Sequence, residues 1–162
     1  MELDYEYYNP NPRGKIVGDC VKRAIVVASG IDYCDLELFM RRNKVDKSQP
    51  FNFKDNYERV IDLLGGKKIN MNVPAGRDRW HVNTINSIMC SYPHISYVLR
   101  VSKHLIGVKD MTIYDTFDDR LRDKGIYVMW IFNATEEETK EIQERCSEGN
   151  RRRFILWHTK LH

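Results

Sequence analysis

The spacing of apolar residues divides the chain into two halves with different periods. Val21, Ala24, Ile25 and Ala28 recur at the three- and four-residue steps of a helix, and Gly30 is a natural stop residue. Asp19, just before, offers a capping carboxylate. A second helix is predicted over 35–43, with Leu36, Phe39 and Met40 on one face. A third starts at Asp55, whose Glu58 three positions on completes a capping box, and runs through Val60, Ile61 and Leu64 to Gly65-Gly66. A short fourth covers 84–91. Residues 1–18 are rich in Tyr, Asn, Pro and Gly, and Pro10 and Pro12 with the residues before them exclude a helix, so an entry loop is expected there.

After Pro93 the period changes. β-Branched and aromatic residues dominate 95–101, 105–108, 112–117 and 126–132, separated by short turns, and each run predicts a strand. Thr135 with Glu138 makes another capping box and opens a charged helix to about Cys146, and 154–158 reads as a final strand. N-terminal helices packed on a C-terminal antiparallel sheet define an α+β protein. With 162 residues, a single domain over 1–162 accommodates the whole pattern.

Composition narrows the function classes. Hydrophobic residues make up 42% and charged residues 30%, which places the chain among globular proteins rather than disordered ones. The net charge of +3 is spread along the chain and does not point to nucleic acid; the run Arg151-Arg152-Arg153 is shorter than a basic nucleic-acid motif and reads as a solvated turn. No apolar run approaches a membrane span, and the acidic start lacks the features of a secretory signal. Four widely spaced cysteines form no Cys-x-x-Cys pair, so no zinc site is expected and free thiols in a cytoplasmic setting are. No cofactor is called for. Gly65-Gly66-Lys67-Lys68 lacks phosphate-loop spacing and reads as a helix stop with two solvated lysines. Trp80-His81 is expected to close a loop onto the core, His94 to enter a strand, and Cys34, Cys90 and Cys146 to pack among apolar neighbours.

Three residues carry candidate chemistry. Cys20 falls in the first turn of its helix, where unpaired N–H groups and the helix dipole favour a thiolate; Asp19 beside it works against that unless it turns away. His104 opens the alternating run His104-Leu105-Ile106-Gly107-Val108, which turns at Lys109-Asp110-Met111 and returns as Thr112-Ile113-Tyr114-Asp115-Thr116. A two-residue turn puts Asp115 on the face of His104, directly opposite or one diagonal step away, whereas a three-residue loop would put Thr116 opposite. Cross-strand neighbours at that spacing let an imidazole N–H reach a carboxylate, the relation of base to orienting acid in a catalytic triad. Asp118 and Asp119 are alternative orienting acids.

Gly18-Asp19-Cys20 followed by Ala24-Ile25 and Gly30 resembles the nucleophile helix of the papain-like superfamily, especially its bacteriocin-leader-processing branch. Asn9-Pro10-Asn11-Pro12 with the Gly-Asp-Cys string, Ser102 through Asp110, and Tyr114-Asp115-Thr116-Phe117-Asp118 resemble small papain-like proteins of bacteriophages and Gram-positive mobile elements, over roughly residues 5 to 120. The resemblance implies Cys20 as nucleophile, His104 as base, Asp115 as third member, and a protein or peptide substrate in the cytoplasm, that of a host if the chain is phage-encoded. Two departures stand out: Gly14 occupies the place of the usual oxyanion glutamine, for which Asn11, or else Asn9 of the same loop, is the expected substitute beside the backbone N–H of Cys20, and Met111 sits where relatives tend to have Gly in the hairpin turn. The resemblance also admits a second reading, a non-catalytic protein on a degenerate papain-like fold that blocks a host protein.

Overall fold

The computed structural model describes residues 2–117 and 119–151. In chain order these form β1 (Asp4–Tyr7), α1 (Cys20–Ser29), α2 (Tyr33–Arg42), α3 (Lys54–Leu63), β2 (Lys67–Asn70), β3 (Arg77–Asp78), α4 (Asn86–Met89), β4 (Ser96–Val101), β5 (His104–Lys109), β6 (Thr112–Asp115), β7 (Val128–Phe132), α5 (Glu136–Glu148) and β8 (Asn150–Arg151). The strand expected at 154–158, Arg152, Arg153 and Asp118 lie outside the described residues.

The four strands read from the second half pair as neighbours and build the centre of a six-stranded sheet of order β1-β6-β5-β4-β7-β2. All pairs are antiparallel except β1 with β6. The chain is therefore α+β, with a sheet that is mixed and draws both its edge strands from the N-terminal half. This corrects the expected entry loop over 1–18: Asp4–Tyr7 is a strand, although little of it is buried and no two-residue alternation announces it. It is fixed by its partner, with Tyr5 opposite Ile113 and Tyr7 opposite Asp115. Lys67 and Lys68 are exposed as expected but belong to β2, where Ile69 is the buried residue.

Helices cover both faces. On one, Ala24, Ile25, Leu36, Met40 and Ile61 from α1, α2 and α3 pack against Val98, Leu105 and Trp130. On the other, Ile88 and Met89 of α4, Ile142 and Cys146 of α5, and the 71–95 segment meet Leu99, Ile106 and Ile131. Each fully buried Leu or Ile contributes about 1.5–3 kcal/mol by leaving water. Trp80 closes its loop onto this second core, its indole N–H donating to the Cys146 carbonyl at 3.0 Å. Among the described residues no helix is long and apolar enough to cross a membrane.

Three local readings need correction. Asp19 makes no side-chain cap on α1. The second helix starts earlier than expected, with Asp32 accepting from the N–H groups of Cys34 and Asp35. The third is capped at Phe53 without a side-chain bond, and Glu58 instead pairs with Lys54 and Lys68. The capping box of Thr135 and Glu138 has both its halves.

Two backbone features place the site. The β5–β6 hairpin turns at Asp110 and Met111, both with positive φ (50° and 58°), a two-residue type I′ turn whose twist matches its strands. Gly107 lets α1 lie directly on β5: a Cβ there would sit 2.6 Å from Cβ of Val27 and 3.1 Å from the Ala24 carbonyl oxygen. That approach brings the start of α1 to the start of β5.

Candidate active site

Cys20 is the first residue of α1, and His104 is the first residue of β5. The hairpin pairs Gly107 with Tyr114 and Val108 with Ile113, and continuing that register sets Asp115 against Ile106, one diagonal step from His104. Nε2 of His104 donates to Oδ2 of Asp115 at 2.8 Å. Oδ1 of the same carboxylate accepts the backbone N–H groups of Thr116 (2.7 Å) and Phe117 (3.0 Å). Asp115 is fully buried, so its orientation is set on both oxygens. The ring of Phe117 stands edge-on to the imidazole, with centroids 4.8 Å apart.

The second ring nitrogen of His104 is left for Cys20, and the thiol and imidazole lie near enough to shift each other's protonation. Burial alone would push the Cys20 thiol up. The neighbouring His104 imidazole, the backbone N–H of Leu105 and the charge of Arg23 outweigh burial and bring it below its ordinary value. Burial would likewise push His104 down, yet the bond to Asp115 and the neighbouring Cys20 thiol raise it to about 9. Both shifts run toward a thiolate–imidazolium pair, the reactive form of a cysteine nucleophile. The other thiols differ: Cys146 is buried and pushed up to about 12, while Cys34 and Cys90 are exposed rather than packed as expected.

Asp19, the carboxylate next to Cys20 in sequence, is buried and bonded to residues other than Cys20. Its Oδ1 accepts the Tyr33 hydroxyl at 2.6 Å and its Oδ2 the Asn11 amide at 3.3 Å. The Asn11 side-chain carbonyl accepts the N–H of Arg13 at 2.9 Å, so Asn11 orders the loop before Cys20 and is itself buried. The N–H of Cys20, in the first turn of α1, has no intrahelical acceptor and can donate to an anion at the sulfur.

Arg23 and Tyr33 escaped the sequence reading. Arg23 is 1% exposed, with Nη1 3.5 Å from Oδ1 of Asp115. A cation three positions after Cys20, one helical turn on and next to the apolar run from Ala24 to Ala28, was the available signal. For Tyr33 there was none, because its partner is distant in sequence.

Among the described residues no cluster of His, Cys, Asp or Glu is arranged to hold a metal ion. His94 pairs with Glu138 at 2.7 Å and His81 bonds the Arg79 carbonyl at 2.9 Å, both in other parts of the fold. Chemically, the arrangement provides a sulfur nucleophile, a base that can return the proton, and a fixed acid behind the base. Set against known protein families, curated proteins and solved structures, the chain matches none of them.

Proposed function

We propose that the chain is a thiol-dependent hydrolase of papain-like type that cleaves a peptide, isopeptide or amide bond, with Cys20 as nucleophile, His104 as acid and base, and Asp115 as orienting acid. The observation that carries this reading is the buried Asp115 carboxylate bonded to His104 at 2.8 Å, with the other imidazole nitrogen left for the Cys20 thiol at the start of α1. A nucleophile at a helix start, with base and acid on the adjoining hairpin, also suits the papain-like arrangement.

The Cys20 thiolate attacks the carbonyl carbon and the carbonyl π pair moves to oxygen. The N–H of Cys20 stabilises that oxyanion, and the Asn11 amide hydrogen not engaged by Asp19 is the second donor. His104 gives its proton to the leaving nitrogen as the C–N bond breaks, leaving a thioester on Cys20. Neutral His104 then takes a proton from water, the hydroxide adds to the thioester, and the carboxylic acid leaves as the thiolate re-forms. Asp115 keeps the imidazole aligned through both halves.

An activated ester tests this. With p-nitrophenyl acetate the protein should release a burst of nitrophenol close to one equivalent, and mass spectrometry should find the acetyl group on Cys20. Cys20→Ala should abolish both. A protein that stays unacylated under these conditions would be a binder, not an enzyme.

A further inference from the structure

Among the described residues the buried charged side chains are Asp19, Arg23 and Asp115, and all three surround Cys20 and His104. Asp19 and Asp115 are satisfied by hydrogen bonds. Arg23 is not: its Nη2 donates to the Ile16 carbonyl at 3.3 Å, while Nε and Nη1 are buried with no hydrogen-bond acceptor. Burying a guanidinium without filling its donors is costly, and an arginine kept for architecture alone normally grips its carboxylate through two parallel N–H···O bonds. Here both Asp115 oxygens are already occupied by His104 and by backbone N–H groups, and Nη1 approaches Oδ1 only to ion-pair distance. What Arg23 supplies to the site is therefore a fixed positive charge rather than a directional bond.

We propose that Arg23 is a positioning residue of this site: its buried charge balances Asp115 and favours the Cys20 thiolate, and its bond to Ile16 ties the loop that delivers Cys20 to the acid behind His104. The inference rests on the reading of Cys20 as a nucleophile. Without Arg23, ionising Cys20 would leave its thiolate and the Asp115 carboxylate with His104 as sole counter-charge. With Arg23 the two cations balance more of that negative charge. The titratable and charged groups facing the cluster are Cys20 and Arg23 of α1, Asp19 of the preceding loop, Tyr5 of β1, Tyr33 of α2, Tyr57 of α3, His104 of β5 and Asp115 of β6. Substitution at Arg23 leaves the rest of this set in place.

The test is the rate of Cys20 alkylation by iodoacetamide as a function of pH, read site by site by mass spectrometry in the full chain, for wild type, Arg23→Lys and Arg23→Gln. Loss of the charge in Arg23→Gln should move the acid limb up by about half to one pH unit, so that Cys20 reacts about threefold to tenfold more slowly at pH 6. Arg23→Lys, which keeps the charge and lacks the fork, should restore the wild-type midpoint. A folded Arg23→Gln with an unmoved midpoint, or a folded Arg23→Lys displaced as far as Gln, overturns the proposal. If Arg23→Gln does not fold, the Arg23→Lys midpoint decides alone. A wild-type profile with no enhanced Cys20 reactivity below pH 7 is a different failure, that of the nucleophile reading itself.

Discussion

Nε2 of His104 lies 2.8 Å from Oδ2 of Asp115, a carboxylate whose other oxygen is held by two successive backbone N–H groups. The acid cannot rotate away from the imidazole without breaking bonds at both oxygens. Replacing it by Asn keeps the shape but removes the charge that raises His104. In Asp115→Asn the imidazole should titrate well below about 9, as followed by the NMR shift of its ring protons. Asp115→Ala should also cost about 3–5 kcal/mol of stability by stranding Arg23 as an unpaired buried cation. An unchanged His104 titration would remove Asp115 from the site.

The coupled pair gives stability a specific pH dependence. His104 is raised from 6.5 to about 9, so its contribution is complete below about pH 6.5 and is lost as pH rises through the folded value. Cys20 is depressed, so its contribution is present above its unfolded value near 9 and is lost as pH falls through the folded one. Between about pH 6.5 and 9 the proton only moves from sulfur to nitrogen, and the two slopes offset. Removing the thiol exposes the His104 slope. The difference in urea stability between Cys20→Ala and Cys20→Ala/His104→Gln should therefore shrink as pH rises above 6.5. A difference that grows with pH would contradict the assignment.

Gly107 is where helix meets sheet. Gly107→Ala places a methyl 2.6 Å from Cβ of Val27, so α1 or β5 must shift. The expected cost is about 1–3 kcal/mol in urea unfolding, with slower Cys20 acylation because the shift separates sulfur from imidazole. Full stability and full acylation in this variant would show that the close approach is dispensable.

Tyr33 engages Asp19, the neighbour of Cys20, through a 2.6 Å hydroxyl bond. Tyr33→Phe leaves a buried carboxylate short of a donor, at about 1–3 kcal/mol, and frees it to oppose the neighbouring thiolate. Stability should fall and Cys20 alkylation at pH 6 should slow. Loss of stability with unaltered alkylation would confine Tyr33 to packing.

Much of the site was legible because its partners are local. The run from His104 to Thr116 contains its own turn, so the parity that puts Asp115 on the side of His104 follows from a two-residue bend; the diagonal offset follows once Lys109 pairs with Thr112. The capping box at Thr135 is equally short-range. The failures involve distant partners. Asp19 looks like a cap until Tyr33, 14 positions on, competes for its oxygen. Asp4–Tyr7 has no periodicity of its own and becomes a strand only because β6 offers an edge. Arg23 drew no reading from the sequence, because its partner Asp115 lies far along the chain and only the fold shows that the arginine of the well-covered helix α1 is buried beside it.

If Cys20 is the nucleophile, the four thiols are chemically unequal because one of them faces an imidazole. Brief iodoacetamide treatment at pH 6, with each cysteine quantified by mass spectrometry, measures this directly. Cys20, though partly buried, should be modified well ahead of the exposed Cys34 and Cys90, and His104→Ala should erase its lead. If Cys34 and Cys90 react first, or if Cys20 keeps its lead without His104, the two residues do not form a nucleophile and its base.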